Sequence, residues 1–172
     1  MLVSTTQHFK IVDQFLELPG LWRFFALQQE YTKDQSGYPG KKSMPLDELN
    51  LHIFHSLAAK IIKHVNGKNN FQRLKIQFAC TTEEEFSKNI HQDEPFYNVA
   101  GVIYLSENPP QNTGTLFYNR TPTGEIVKTL TVENVYNRMI IFNPSMWHSQ
   151  AGSFGTDLKT SRLTITFFGV VV

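Results

Sequence analysis

The run Ser161-Arg162-Leu163-Thr164-Ile165-Thr166-Phe167-Phe168 alternates residue by residue, the pattern of a β-strand with one buried face. Leu163, Ile165 and Phe167 fall on one side; Arg162 and Thr164 share the other, as do Thr166 and Phe168. A single charge on an otherwise neutral strand needs an anionic partner, and a bound carboxylate suits a guanidinium best.

Working back from this strand, the pattern stays β-like to Gly67. Residues 74–80, 97–106, 115–120, 126–132 and 138–142 read as strands, with 162–172 as the last. Turn clusters separate them: Asn108-Pro109-Pro110-Gln111-Asn112, Thr121-Pro122-Thr123-Gly124 and Asn143-Pro144-Ser145. Short strands at hairpin spacing point to a sandwich or jelly roll rather than a parallel sheet.

Before Gly67 the chain reads as helical. Pro19-Gly20 opens a helix running to about Tyr31, and residues 33–42 read as a loop. A second helix is expected from Pro45 to about Asn66, because Leu46, Leu49, Ile53, Leu57, Ile61 and Val65 recur every three to four residues. Helices first and strands after give an α+β, mainly β chain. The expected organisation is one domain over 1–172, with residues 1–70 as helical support and 71–172 as the β core.

Composition narrows the function. The 172 residues are 41% hydrophobic, and 16 Lys+Arg against 15 Asp+Glu leave a formal charge of +1. The charge is evenly spread, which argues against a nucleic-acid arm or a polybasic membrane patch. One cysteine, Cys80, excludes an internal disulfide and a cysteine-rich zinc site. No apolar run approaches a membrane span and none near the start has the shape of a signal peptide, so a soluble, cytoplasmic protein is expected.

His91-Gln92-Asp93 carries the first sign of chemistry. On an extended segment, residues i and i+2 point the same way, so imidazole and carboxylate converge. They supply two-thirds of a facial triad for non-haem Fe(II). One histidine lies downstream, His148, after the apolar run Met139-Ile140-Ile141-Phe142. In order, the chain offers His, Asp, His and then Arg162.

That constellation resembles the signature of the Fe(II)- and 2-oxoglutarate-dependent oxygenases, close to the prolyl-4-hydroxylase-like branch. The likeness covers about residues 74–170. Ala100-Gly101-Val102-Ile103-Tyr104-Leu105-Ser106 looks like the branch's strand after the HxD motif, and Thr113-Gly114-Thr115-Leu116-Phe117-Tyr118 like its next, glycine-rich strand. Phe9-Lys10-Ile11-Val12-Asp13-Gln14-Phe15-Leu16 and Gly37-Tyr38-Pro39-Gly40-Lys41-Lys42-Ser43 resemble a small bacterial and phage group within the superfamily. Two departures stand out. Many prolyl hydroxylases have lysine where Arg162 stands, and Thr113-Gly114 replaces a pair of glycines.

The resemblance implies a double-stranded β-helix, or cupin-like jelly roll, with the N-terminal helices packed on one sheet. It implies that His91, Asp93 and His148 bind Fe(II), and that Arg162 pairs with the distal carboxylate of 2-oxoglutarate. Thr164 and Tyr104 would assist Arg162. Fe(II), 2-oxoglutarate and O2 would together hydroxylate a C–H bond, releasing succinate and CO2, with no catalytic acid or base beyond the metal centre. The alternative is a metal-binding cupin-like module or isomerase that does not use 2-oxoglutarate; Arg162 discriminates, because such a module needs no carboxylate anchor.

The substrate, a peptide, an amino acid or a small metabolite, would be set by the loops at 33–43, 81–90, 106–114 and 151–160. Tyr97 and Trp147 are the nominated pocket residues, with Asn98 beside them. No loop shows a basic stripe with interleaved aromatics, so neither nucleic acid nor membrane is an expected partner. His8, His52, His55 and His64 read as structural or surface residues, Glu83-Glu84-Glu85 as a solvated face, and Cys80 as a small buried apolar residue.

Overall fold

The computed structural model describes residues 9–33 and 35–172; His8 lies outside them. The elements in chain order are β1 (Lys10–Val12), α1 (Pro19–Leu27), β2 (Thr32–Lys33), β3 (Lys41–Lys42), α2 (Leu46–Leu49), α3 (Leu51–Ile62), β4 (Phe71–Thr81), β5 (Val99–Tyr104), β6 (Thr115–Arg120), β7 (Ile126–Val132), β8 (Met139–Phe142), β9 (Trp147–Gln150) and β10 (Arg162–Val171). A seven-stranded sheet runs β1-β8-β5-β10-β4-β3-β2, and a three-stranded sheet runs β7-β6-β9. Every pairing is antiparallel.

The alternation along β10 sorts the core into two layers. Leu163, Ile165 and Phe167 join Ile76 and Phe78 of β4, Ile103 of β5 and Ile141 of β8 on the face covered by Leu57 and Ile61 of α3. The opposite face looks toward the smaller sheet, where Ala100, Ile140 and Phe142 meet Phe117 and Val132. Phe117 stacks edge-on against Phe142 with ring centroids 5.2 Å apart. Between these layers Arg162, Thr166 and Phe168 face a cleft.

The helical half departs from the sequence expectation. The helix expected over 45–66 is broken at Asn50, whose backbone is extended (φ −162°, ψ 104°) and whose side chain accepts from the Ile53 N–H at 3.0 Å. An asparagine that caps a new helix outweighs unbroken apolar periodicity. α3 then stops at Ile62, short of Gly67, which takes a positive φ of 67° in the following turn. α1 ends at Leu27, before Tyr31, whose hydroxyl donates back to the Ala26 carbonyl at 2.9 Å. The expected loop over 33–42 holds a short ladder, Thr32↔Lys42 and Lys33↔Lys41, that extends the large sheet through Lys41↔Cys80.

The strands fall close to expectation: β6 and β7 have the expected bounds, and β4 is longer by three residues at its start. β1, β2, β3 and β9 are additional. The first three are too short for a two-residue period to register. β9 is Trp-His-Ser-Gln, a strand too short and too polar for apolar alternation to register. Among the described residues, no helix is long and apolar enough to cross a membrane.

Ile165→Ala is expected to cost about 2–5 kcal/mol, since Ile165 is fully buried under the helices. Urea denaturation measures this loss. Metal affinity of the folded variant should stay at the wild-type value, because Ile165 faces away from the cleft.

Candidate metal centre

The centre is assembled by backbone hydrogen bonds between two segments far apart in sequence. The His91 N–H donates to the His148 carbonyl at 3.0 Å, and the His148 N–H returns the bond to the His91 carbonyl at 2.9 Å. Two residues on, the Asp93 N–H donates to the Pro144 carbonyl at 2.9 Å, and Gln92 Nε2 donates to the Ser145 carbonyl at 2.5 Å. The turn receiving them is itself fixed: Asn143 Oδ1 accepts from the Ser145 N–H at 2.9 Å. The HxD segment is thus laid against the turn entering β9.

The side chains converge. His91 Nε2 lies 3.6 Å from Asp93 Oδ1, and His148 Nε2 lies 3.6 Å from Asp93 Oδ2. One ligating atom from each residue falls within 4.8 Å of the other two. The far ring nitrogens are occupied: His91 Nδ1 meets the Asn89 carbonyl at 3.0 Å and His148 Nδ1 meets the Met146 carbonyl at 2.8 Å. Those carbonyls require Nδ1–H, so each Nε2 turns a lone pair inward. Asp93 Oδ2 is buried and has no hydrogen-bond donor. Two lone pairs and an unsatisfied carboxylate oxygen suit a divalent cation, and the donor set is that of a 2-His-1-carboxylate site. The Asp93 carboxylate facing it pushes the His91 imidazole up, while burial pushes His148 down.

Arg162 lines the same cleft of about 470 Å³. Its side chain is 3% exposed, yet among the described residues no carboxylate lies within ion-pair distance. Nε donates to the Thr113 carbonyl at 2.8 Å and Nη2 to the Gly114 carbonyl at 3.4 Å, while the Tyr104 ring lies 5.5 Å below the guanidinium. A buried cation held by carbonyls and an aromatic face is solvated by dipoles but not neutralised.

Of the nominated residues, His91, Asp93, His148, Arg162 and Tyr97 line the cleft; Thr164, Tyr104 and Trp147 do not. Thr164 lies on the correct face, but its hydroxyl donates to the Ala79 carbonyl at 3.4 Å. The Tyr104 hydroxyl is 2.6 Å from Thr115 Oγ1, and its ring lies beneath the Arg162 guanidinium. Trp147 neighbours His148 on β9 and so takes the opposite face. Asn98 is structural: its amide exchanges hydrogen bonds with the backbone of Val171. Two of the four nominated loops contribute, those at 33–43 and 81–90.

Reading the sequence missed Tyr38 and Gln150. Gln150 was legible, since it sits two residues after His148 and shares its face. Among the residues set aside, His52 and His55 are exposed on α3, and His64 packs edge-on against Phe15. Burial pushes the Cys80 thiol up to about 11, which leaves it inert.

The fold has close counterparts among solved structures. A prolyl hydroxylase from Trichoplax adhaerens, in complex with a hypoxia inducible factor oxygen degradation domain peptide, superposes with a TM-score of 0.68 at 15% identity, covering 96% of this chain and 84% of the other. A Pseudomonas putida prolyl-4-hydroxylase gives 0.59 at 16% identity over 96% and 93% of the two chains. HygX from Streptomyces hygroscopicus, with nickel and 2-oxoglutarate bound, gives 0.64 at 13% identity over 96% and 84%. At these identities the likeness is one of fold. The chain belongs to DUF6445, a family of unknown function, whose model matches residues 1–131. That match contains His91 and Asp93 and ends before His148 and Arg162. No curated protein matches the sequence significantly.

His91→Ala and His148→Ala should each lower affinity for Fe(II), measured anaerobically, by more than about 100-fold. His52→Ala, on the exposed side of α3, should leave it unchanged.

Proposed function

We propose that this chain is an Fe(II)- and 2-oxoglutarate-dependent oxygenase of the prolyl-4-hydroxylase-like kind, hydroxylating a C–H bond of a peptide, amino acid or small metabolite. The observation that carries this reading is Arg162, a buried cation with no counter-ion among the described residues, in the cleft where His91, Asp93 and His148 converge. A metal site alone fits a cupin-like module equally well. A metal site beside a waiting carboxylate partner fits a co-substrate that is both chelator and dicarboxylate.

In this reading consecutive strands from β5 onward form the two walls of a double-stranded β-helix in one domain, and the centre lies between them. His91, Asp93 and His148 would hold the ion. The chemistry supplied there by bound Fe(II) and 2-oxoglutarate would be O2 activation, in which one oxygen atom would enter the substrate as hydroxyl and the other succinate, with release of CO2. The chain's own residues position and exclude. Arg162 binds the distal carboxylate, which orients the 2-oxo acid end toward the ion. Tyr104 and the Thr113 and Gly114 carbonyls keep Arg162 in place. Phe142 and Phe117 pack around His148, with the Phe142 ring centroid 4.8 Å from the imidazole, and keep water from its inner side. No side chain acts as acid or base, and the substrate enters past Tyr97 and Phe168. The protein acts in the cytoplasm, on a substrate that is neither nucleic acid nor membrane.

The test is an anaerobic titration with Fe(II) and then 2-oxoglutarate, followed by O2 and measurement of succinate. A weak visible charge-transfer band that needs both components, and succinate after O2, are expected. Iron binding with no response to 2-oxoglutarate would favour the cupin-like reading. Arg162→Ala should weaken 2-oxoglutarate by about 2–5 kcal/mol while leaving Fe(II) affinity unchanged; equal affinities for 2-oxoglutarate would remove Arg162 from this role.

A further inference from the structure

Thr81 on β4 is the cross-strand partner of Arg162, and neither Thr164 nor Tyr104 lines the cleft beside them. Tyr38 and Gln150 line the cleft there instead. The Tyr38 hydroxyl is 2.8 Å from Thr81 Oγ1, and Gln150 Nε2 lies 3.0 Å from Thr81 Oγ1 and 3.4 Å from the Tyr38 oxygen. The Arg162 charge also acts on the Tyr38 phenol, whose own desolvation keeps it protonated.

Accounting for protons makes this cluster informative. Two amide hydrogens and two hydroxyl hydrogens are available to three hydrogen bonds, so one hydroxyl proton is left over. Thr81 does not line the cleft, while Tyr38 does. If Gln150 donates to both oxygens and Thr81 donates to Tyr38, every bond is made and the Tyr38 O–H is free for an acceptor in the cleft. Gln150 turns Nε2 toward both hydroxyl oxygens.

The chain holds Tyr38 in this position by a close approach. Gly37 takes φ +92°, and Gly40 passes so near β4 that a Cβ would lie 2.0 Å from the Cys80 carbonyl oxygen and 2.6 Å from Thr81 Oγ1. Only glycine permits that approach, and the Lys41↔Cys80 pairing follows at once.

We propose that Tyr38, oriented by Gln150 and Thr81, completes the carboxylate site of Arg162, its O–H donating to the distal carboxylate of the 2-oxo acid. This rests on the oxygenase reading. The N-terminal Gly-Tyr-Pro-Gly loop is then part of co-substrate recognition, a role the sequence assigned to strand residues.

The test is calorimetric titration of Mn(II)-loaded protein with 2-oxoglutarate, with Mn(II) affinity measured for every variant. Tyr38→Phe should weaken 2-oxoglutarate at least tenfold. Gln150→Glu should weaken it further, because a carboxylate then faces a carboxylate. Thr164→Val should stay within twofold of wild type, and Mn(II) affinity should hold throughout. The inference is overturned if Tyr38→Phe and Gln150→Glu both bind within twofold of wild type, or if Thr164→Val shows the larger loss. Should Tyr38→Phe lose Mn(II) binding and so fail to fold, Gln150→Glu decides by the same thresholds. Wild-type protein that takes Mn(II) and no 2-oxoglutarate overturns the oxygenase reading and this inference together.

Discussion

Two reciprocal backbone hydrogen bonds, from His91 to His148 and back, are the constraint on which the site depends. They join a segment with no strand of its own to the edge of the smaller sheet. Without them the two imidazoles belong to unrelated loops. With them the rings sit 4.4 Å apart, and the Asp93 carboxylate spans both Nε2 atoms. The bonds from Asp93 and Gln92 to the 144–145 turn extend the same clamp, so the ligand geometry is set by backbone rather than by flexible side chains. Such preorganisation places the donors before a cation arrives and limits the ordering that binding must cost.

The second constraint is electrostatic. Among the described residues, the site contains a buried carboxylate oxygen without a donor and a buried guanidinium without an anion, both lining one cleft. These charges do not pair with each other; each instead has backbone or aromatic neighbours that fix its position. Burying charge without full compensation is costly, and ligands of opposite sign would offset that cost. In the proposed reading a divalent cation answers Asp93 and an organic carboxylate answers Arg162. The opposing requirements make a dicarboxylate chelator a better occupant than a cation alone.

Much of this was legible in the sequence because a strand's two-residue period reports facing directly. The alternation over 161–168 placed Arg162 opposite Leu163, Ile165 and Phe167, and the core divides along that line. What the period cannot report is where a polar group ends its hydrogen bonds. Thr164 and Tyr104 are buried on interior strands, yet neither lines the cleft, and their hydroxyls lie against the Ala79 carbonyl and Thr115 Oγ1. Tyr38 was out of reach for a different reason. Its position comes from a glycine crossing over β4, a tertiary contact with no local pattern beyond the two glycines that allow it. The helix break at Asn50 was hidden by apolar spacing that continues through it, although an asparagine cap is a local signal.

The account's central claim, that two histidines and one carboxylate from distant segments form a single metal centre, is tested most directly by X-ray absorption at the iron edge of the anaerobic Fe(II)-loaded protein. Two imidazoles among six nitrogen and oxygen ligands, with no sulfur, is the predicted coordination. Fewer than two imidazoles on the iron would contradict it.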